Sequence, residues 1–235
     1  MMYNLPVNTT NIIYALLAGV LPALLWLWFW LKEDNLHPEP RYLITLSFIS
    51  GMVAVVLAIF LEKYAADISS DTTTRYITWA AIEEITKFLA VAFIALRSRY
   101  MDEPIDAMIY CITVALGFAA LENALFILSP INTGDITKSV VTGNMRFIGA
   151  TLVHLVSSAS IGFMIGLAFY KNIFIKTIAI IAGVILAVTL HASFNLSIIN
   201  TTTIDTLKVF VWVWIAIIIL IILFEEIKVI KPKTI

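Results

Sequence analysis

Seven stretches of roughly 20 mostly apolar residues follow one another along the chain, and this feature limits its possible folds most. A helix needs about 20 residues to cross the hydrocarbon core of a bilayer, so each stretch predicts a transmembrane helix. The predicted spans are Asn11–Leu31, Tyr42–Leu61, Tyr76–Leu96, Ile105–Leu128, Phe147–Tyr170, Ile173–Ile199 and Thr206–Phe224. The sequence therefore predicts an all-α polytopic bundle of about seven spans, forming a single integral membrane domain over residues 1–235.

The composition excludes the main alternative classes. The 235 residues are 61% hydrophobic and 13% charged, whereas a soluble domain is about 25% charged. The formal net charge is -1 and no basic block is present, so we expect no nucleic-acid partner. The lone cysteine, Cys111, excludes an intrachain disulfide. The first predicted partner is the lipid bilayer, and the predicted location is the cell membrane, with multiple passes.

The basic residues of the loops predict the orientation. With the N-terminus outside, nine Lys and Arg residues fall in cytoplasmic segments and five in outer segments. Cytoplasmic loops carry the excess of Lys and Arg, so the N-terminus is predicted outside and the C-terminus inside.

Ionisable residues lie inside four of the apolar spans. Glu83, Glu84 and Lys87 are in the third span and Glu122 is in the fourth. Each costs roughly 2.5–3.5 kcal/mol at the centre of a span, so four of them cost about 10–14 kcal/mol if charged and unpaired. That total is comparable with the stability of a whole domain. These side chains must therefore meet partners inside the bundle.

Four polar groups from four helices fall at one depth. Helix rise places Glu83 and His154 about 12 Å, Glu122 about 10 Å and His191 about 13 Å from one face. In the predicted orientation this face is extracytoplasmic. Scattered polar residues would seldom agree in depth, so we predict one site built from spans three to six.

The residue types favour hydrolytic chemistry. One glutamate and two histidines form a common ligand set for catalytic zinc. Glu83 and Glu84 point about 100° apart on their helix, so one can act as a base while the other pairs with Lys87. Asn195 shares a helix face with His191 and is placed to donate to an oxyanion. Carboxyl groups acting as acid and base without a metal remain an alternative.

Five short motifs occur in order along the chain. They are Leu36-His37-Pro38-Glu39-Pro40, Glu83-Glu84-x-x-Lys87, Gly117-Phe118-Ala119-x-x-Glu122-Asn123, Arg146 with seven residues before His154, and His191-x-x-x-Asn195. In these motifs the chain resembles the PrsW family of intramembrane proteases, relatives of the type II CAAX prenyl endopeptidases. It departs from the CAAX enzymes at Lys87 and Glu122, which makes prenylated substrates a poorer match.

The resemblance implies proteolysis of a membrane-anchored protein substrate, of the anti-sigma-factor type. It also implies that Glu83, Glu84, Glu122, His154 and His191 match the family's catalytic and metal positions.

The resulting hypothesis is a metal-dependent peptidase that cleaves near the extracytoplasmic face. It assigns Glu122, His154 and His191 to a divalent metal, with zinc as the first candidate. Glu83 is the predicted general base, Glu84 and Lys87 are supporting residues, and Asn195 orients the substrate or stabilises the oxyanion. Two alternatives are a proton- or ion-coupled transporter and a non-catalytic scaffold that binds a partner's helix.

Overall fold

The computed structural model describes residues 8–34, 37–68, 71–199 and 203–232, and these ranges contain helices and no strand. The helices are α1 Thr9–Glu33, α2 Arg41–Ile68, α3 Thr72–Ile94, α4 Asp106–Asn132, α5 Ile136–Met145, α6 Thr151–Leu167, α7 Ile173–Ile199 and α8 Thr203–Lys228. A π-helical segment, Arg146–Ala150, joins α5 to α6 without a break. The predicted polytopic helix bundle is confirmed.

Six of the described helices are long and apolar enough to cross a membrane, with α5, the π segment and α6 counted as one. The exception is α3, which is 23 residues long but carries four charged residues, Arg75, Glu83, Glu84 and Lys87. Glu84 and Lys87 are fully buried against neighbouring helices. Among the described helices longer than ten residues, α3 is thus the least hydrophobic, and its Glu84 and Lys87 side chains turn into the bundle.

Helix α4 is the centre of the bundle, because its first 15 residues, Asp106 to Ala120, are all buried. Glycines allow the surrounding helices to reach its backbone, as small residues do in membrane bundles. A Cβ on Gly117 would lie 2.0 Å from the Phe48 carbonyl oxygen on α2. A Cβ on Gly162 of α6 would lie 2.6 Å from the Ala107 carbonyl oxygen. The α2–α4 and α4–α6 crossings are therefore in direct backbone contact.

Side-chain caps fix where two of the helices begin. The Asp71 carboxylate accepts from the Thr74 amide at 2.7 Å, and the Asp135 carboxylate accepts from the Lys138 amide at 2.8 Å. Each cap satisfies one of the amides that a helix start leaves unpaired. The first cap sets the start of α3 and thereby the depth of Glu83.

The loop that precedes α2 and the loop that precedes α4 meet at one end of the bundle. The exposed His37 ring pairs with Glu103, and the Tyr110 hydroxyl donates to Glu39. Asp34, only 6% exposed, lies near them. Glu122 lies 16 residues beyond the start of α4, about 24 Å along the helix. His37 is therefore far from the predicted site.

Candidate metal centre

A cavity of about 700 Å³ opens between α2, α3, α4, α6 and α7. Polar side chains from all five helices and from the π segment line it: Glu62, Glu83, Glu122, Arg146, His154, His191 and Asn195. The structure thus brings together the four groups whose depths agree in the sequence, and Asn195 joins them.

Glu83 lies between the two histidines. Its Oε2 atom is 3.7 Å from His154 Nδ1 and 3.8 Å from His191 Nε2. One ligand atom from each of the three residues lies within 4.8 Å of the other two, and all three residues are buried. Glu83 Oε2 is buried without a hydrogen-bond partner among the described residues. A buried carboxylate oxygen is costly to leave unpaired, so this position is suited to a cation.

His191 is held by Glu84. A carboxylate only accepts, so the 2.8 Å contact has His191 Nδ1 donating to Glu84 Oε1. Lys87 Nζ donates to the same oxygen at 2.5 Å, and the Ser158 hydroxyl donates to Glu84 Oε2 at 3.0 Å. Three donors therefore stabilise the charge of a fully buried carboxylate. The His191 Nε2 lone pair is left facing Glu83.

His154 is held by Glu122 in the same way. His154 Nε2 donates to Glu122 Oε2 at 2.7 Å, and Arg146 Nη2 donates to that oxygen at 2.5 Å. Arg146 Nε also donates to the Asn123 amide oxygen at 2.6 Å. The His154 Nδ1 lone pair remains, and it accepts a 3.0 Å hydrogen bond from Lys87 Nζ.

The two rings are therefore held in the way that is usual for metal-binding histidines. Such a histidine donates one ring N–H to a carboxylate and directs its other nitrogen at the metal. Here the carboxylates are Glu84 and Glu122, and both remaining nitrogens lie beside Glu83. The residues present fit a divalent ion with an N₂O ligand set.

This geometry bears on the assignment made from the sequence. The predicted ligand set takes its carboxylate from Glu122, yet the three-residue group found in the structure takes it from Glu83. The Lys87 partner among the two glutamates is Glu84, three residues earlier, in agreement with its expected supporting role. Asn195 lines the cavity one turn after His191. The individual roles of these residues stay predictions.

Two residues near the site escaped the sequence reasoning. Glu62 lines the cavity, and its side chain contacts Glu83 from α2. In the sequence Glu62 directly follows the apolar run that ends at Leu61, a position typical of a residue at the membrane interface. Ser158 reads as part of a small-residue packing stripe, but it donates to Glu84. Both contacts depend on how neighbouring helices are rotated.

Comparison with known proteins gives consistent results. Residues 39–223 match the model of a family described as PrsW family intramembrane metalloprotease. Protease PrsW of Geobacillus kaustophilus is 29% identical over 154 residues, covering 64% of this chain and 65% of that protein. Protease PrsW of Shouchella clausii is 24% identical over 182 residues, covering 76% of this chain and 80% of that protein.

The chain thus spans slightly less than two thirds of the Geobacillus relative's length. No solved structure matches the chain. The family match extends over 185 of the 235 residues and includes every residue that lines the polar cavity. The chain is a multi-pass membrane protein that belongs to the PrsW family of intramembrane metalloproteases.

Proposed function

We propose that this protein is an intramembrane metalloprotease that cleaves a membrane-anchored protein near the extracytoplasmic face. The observation that carries the proposal is the buried Oε2 atom of Glu83, which faces two histidine lone pairs and has no hydrogen-bond partner within residues 8–34, 37–68, 71–199 and 203–232. The basic-residue asymmetry supports the extracytoplasmic location, because it puts the mouth of the cavity on the outer side.

Glu83, His154 and His191 are the proposed ligands of a divalent ion, with zinc as the first candidate. Ligands about 2.1 Å from a tetrahedral ion lie roughly 3.4 Å from one another. The separations of 3.7 and 3.8 Å from Glu83 need a few tenths of an ångström of contraction, and all three ligand atoms lie within 4.8 Å of one another. When bound, such an ion supplies a water of lowered pKa and polarises the peptide carbonyl.

The other residues of the site orient these ligands. Glu84 and Glu122 fix the ring positions and tautomers of the two histidines. Lys87 donates to both Glu84 and His154 Nδ1, so metal binding through this nitrogen leaves Lys87 paired with Glu84 alone. Asn195 lines the cavity, and its amide is the proposed donor to the oxygen of the cleaved carbonyl.

Glu62 is the proposed proton acceptor for the attacking water. Its carboxyl lines the cavity beside Glu83, and no metal-ligand role is assigned to it. This assignment leaves Glu83 free to serve as a ligand instead of the general base.

Metal analysis of purified variants separates the two assignments of Glu83. If Glu83 is a ligand, Glu83→Gln loses both the bound metal and the cleavage of a single-span reporter. If Glu83 is the base, the same variant keeps its metal and loses at least about a hundredfold in rate. Glu122→Gln is the reverse test, because it should lose the bound metal if Glu122, instead of Glu83, is the carboxylate ligand. His191→Ala should lose metal and activity on either assignment.

His37→Ala is the matched control, since it removes a histidine at the other end of the bundle. Wild-type protein that cleaves fully without a divalent ion and in the presence of chelators would end the metal part of the proposal. A Glu83→Gln variant with wild-type cleavage would end the catalytic part.

The proposed substrate class is a membrane-anchored protein, and the family resemblance points to the anti-sigma-factor type. A reporter tagged on both sides of its single span tests the position of the cut. The proposal expects cleavage in the outer half of the span. Cleavage confined to the cytoplasmic half would contradict the proposed orientation.

A further inference from the structure

A second, smaller cavity lies between α6, α7 and α8, and we call it the serine groove. Its volume is about 230 Å³, and eight of its eleven lining residues are apolar. The remaining three are Ser157 on α6 and Ser193 and Ser197 on α7. The groove therefore combines an apolar wall with a few hydroxyl groups.

Ser157 differs from the serines around it. It is fully buried, and its hydroxyl has no hydrogen-bond partner among the described residues. Ser197 donates to the Ser193 carbonyl at 2.7 Å, and Ser160 donates to the Ser157 carbonyl at 2.6 Å. Helical serines commonly satisfy themselves on the preceding turn. The Ser157 hydroxyl is therefore available to a group that enters the groove.

The serine groove adjoins the polar cavity. Val153 and Phe194 line both of them. Ser157 follows His154 by three residues, about 4.5 Å along α6 and on the same side of the helix, whereas Ser193 follows His191 by two and lies about 200° around α7. A chain lying in the groove thus comes within one helical turn of His154 along α6.

We propose that the serine groove binds the unwound membrane segment of the substrate beside the cleaved bond, with the Ser157 hydroxyl bonded to its backbone. This inference rests on the proposed protease function. A peptide bond must leave its helix to be attacked, and its N–H and C=O groups then lack partners in a medium without water. Each unpaired group of this kind is costly, so a buried free hydroxyl beside the catalytic cavity stabilises the unwound state.

The lining of the groove suits an unwound segment with small or apolar side chains. Its wall is apolar at eight of eleven residues, and the Ser157 hydroxyl, which has no hydrogen-bond partner among the described residues, can take up one backbone group. A lipid acyl chain would fill the apolar wall but would leave the Ser157 hydroxyl unpaired.

Photocrosslinking in the full-length protein tests this placement without requiring cleavage. Two tryptophans of α8 are replaced, one at a time, by photoreactive benzoylphenylalanine in a Glu83→Gln background in phosphatidylcholine nanodiscs. Trp212 is 70% exposed and lines the groove. Trp214 is 42% exposed, lies two residues and about 200° around the helix, and contacts Trp26 of α1. The two substitutions exchange one aromatic ring for another, so they form a matched pair.

The probes are two single-span reporters that differ only in a Gly-Pro pair in the outer third of a leucine–alanine segment. We expect the position of Trp212 to capture the Gly-Pro reporter and the position of Trp214 not to capture it. Ser157→Ala should lower this capture about two- to tenfold, the effect of one lost hydrogen bond. It should leave thermal unfolding unchanged or raise its midpoint, because the lost hydroxyl has no hydrogen-bond partner in the part of the chain that the structure describes.

Three results would overturn the proposal: equal capture from both positions, equal capture of both reporters, or crosslinks to lipid alone. Unchanged capture by Ser157→Ala would remove the role of its hydroxyl. If the Gly-Pro reporter is captured but the protein with Glu83 intact does not cleave it, the protease function is refuted. The binding of the segment in the serine groove would still hold.

Discussion

The contact between Arg146 and Glu122 yields the sharpest quantitative prediction. Arg146 donates to Glu122 at 2.5 Å and to Asn123 at 2.6 Å, and its guanidinium lies 3.9 Å from the centre of the Phe126 ring. The two side chains of the ion pair are 15% and 18% exposed. Arg146→Met keeps most of the volume and removes the charge and both hydrogen bonds.

Two effects follow from that change. Breaking a fully buried ion pair costs about 3–5 kcal/mol, and a hydrogen bond to a charged group is worth about 1.5–3 kcal/mol. Glu122 keeps its bond from His154, so we expect Arg146→Met to destabilise the protein by about 2–3 kcal/mol. Glu122 also orients the His154 ring, so we expect metal affinity to fall, by no more than the 10–100-fold, roughly, that follows the loss of a metal-binding histidine's carboxylate partner itself.

Reversible unfolding in mixed micelles measures the first effect, and chelator competition with metal analysis measures the second. Arg146→Lys should fall between the wild type and Arg146→Met, because lysine keeps the charge but loses the planar double contact. The control is Lys208→Met, which breaks an exposed ion pair with Asp205 and should cost about 0–1 kcal/mol. Wild-type stability and wild-type metal affinity in Arg146→Met would refute the proposed support of His154 through Glu122.

Three further predictions concern other parts of the molecule. His37→Ala should leave reporter cleavage within about twofold of wild type, because the ring lies at the other end of the bundle; complete loss would show that the assigned topology is wrong. Gly117→Ala should destabilise the fold by about 1–3 kcal/mol or more, since its Cβ meets the α2 backbone. Gly143→Ala is the control: its Cβ meets only a side chain at 3.4 Å, so it should be neutral or stabilising in the same unfolding assay. Burial, followed by the charges of nearby acidic side chains, raises the pKa of Asp34 from 3.8 to about 7. The folded protein therefore favours the protonated carboxyl, whose contribution to stability is full below pH 3.8 and is lost as the pH rises towards 7. That shift corresponds to at most about 4 kcal/mol, and Asp34→Asn should flatten the pH profile of the unfolding midpoint and raise the midpoint at pH 8; an unchanged profile would contradict it.

Much of the site was predictable because the depth of a residue in the membrane follows from its number of residues from the end of its span. Helix rise fixes how far each residue lies from the end of its span, and ionisable residues are too costly to scatter in the hydrocarbon core. Glu83, Glu122, His154 and His191 share a depth by this count, and the structure places all four in one cavity. The helices themselves were predictable for the same reason, since each crossing needs a minimum apolar length.

Rotation of one helix against another was not predictable in this way. Glu83 and Glu122 have nearly the same depth, so the sequence gives no basis for deciding which of them faces the histidines. The structure orients Glu83 towards both ring lone pairs, and Glu122 towards Arg146 and the N–H of His154. The contact of Glu62 with Glu83 has the same origin, because it depends on how α2 is turned against α3.

The π-helical segment Arg146–Ala150 has a consequence for how the spacing between Arg146 and His154 is read. Eight residues of regular α-helix turn by about 800°, which would leave these two side chains about 80° apart. A π turn takes up one extra residue, so the pair behaves as if seven residues apart, within about 20° of two full turns. Both side chains can then meet the same oxygen of Glu122. The length of this segment is therefore matched to its π turn: one further residue inserted after Arg146 would make the pair behave as if eight residues apart, about 80° off, and turn Arg146 away from Glu122 while leaving every named side chain in the sequence.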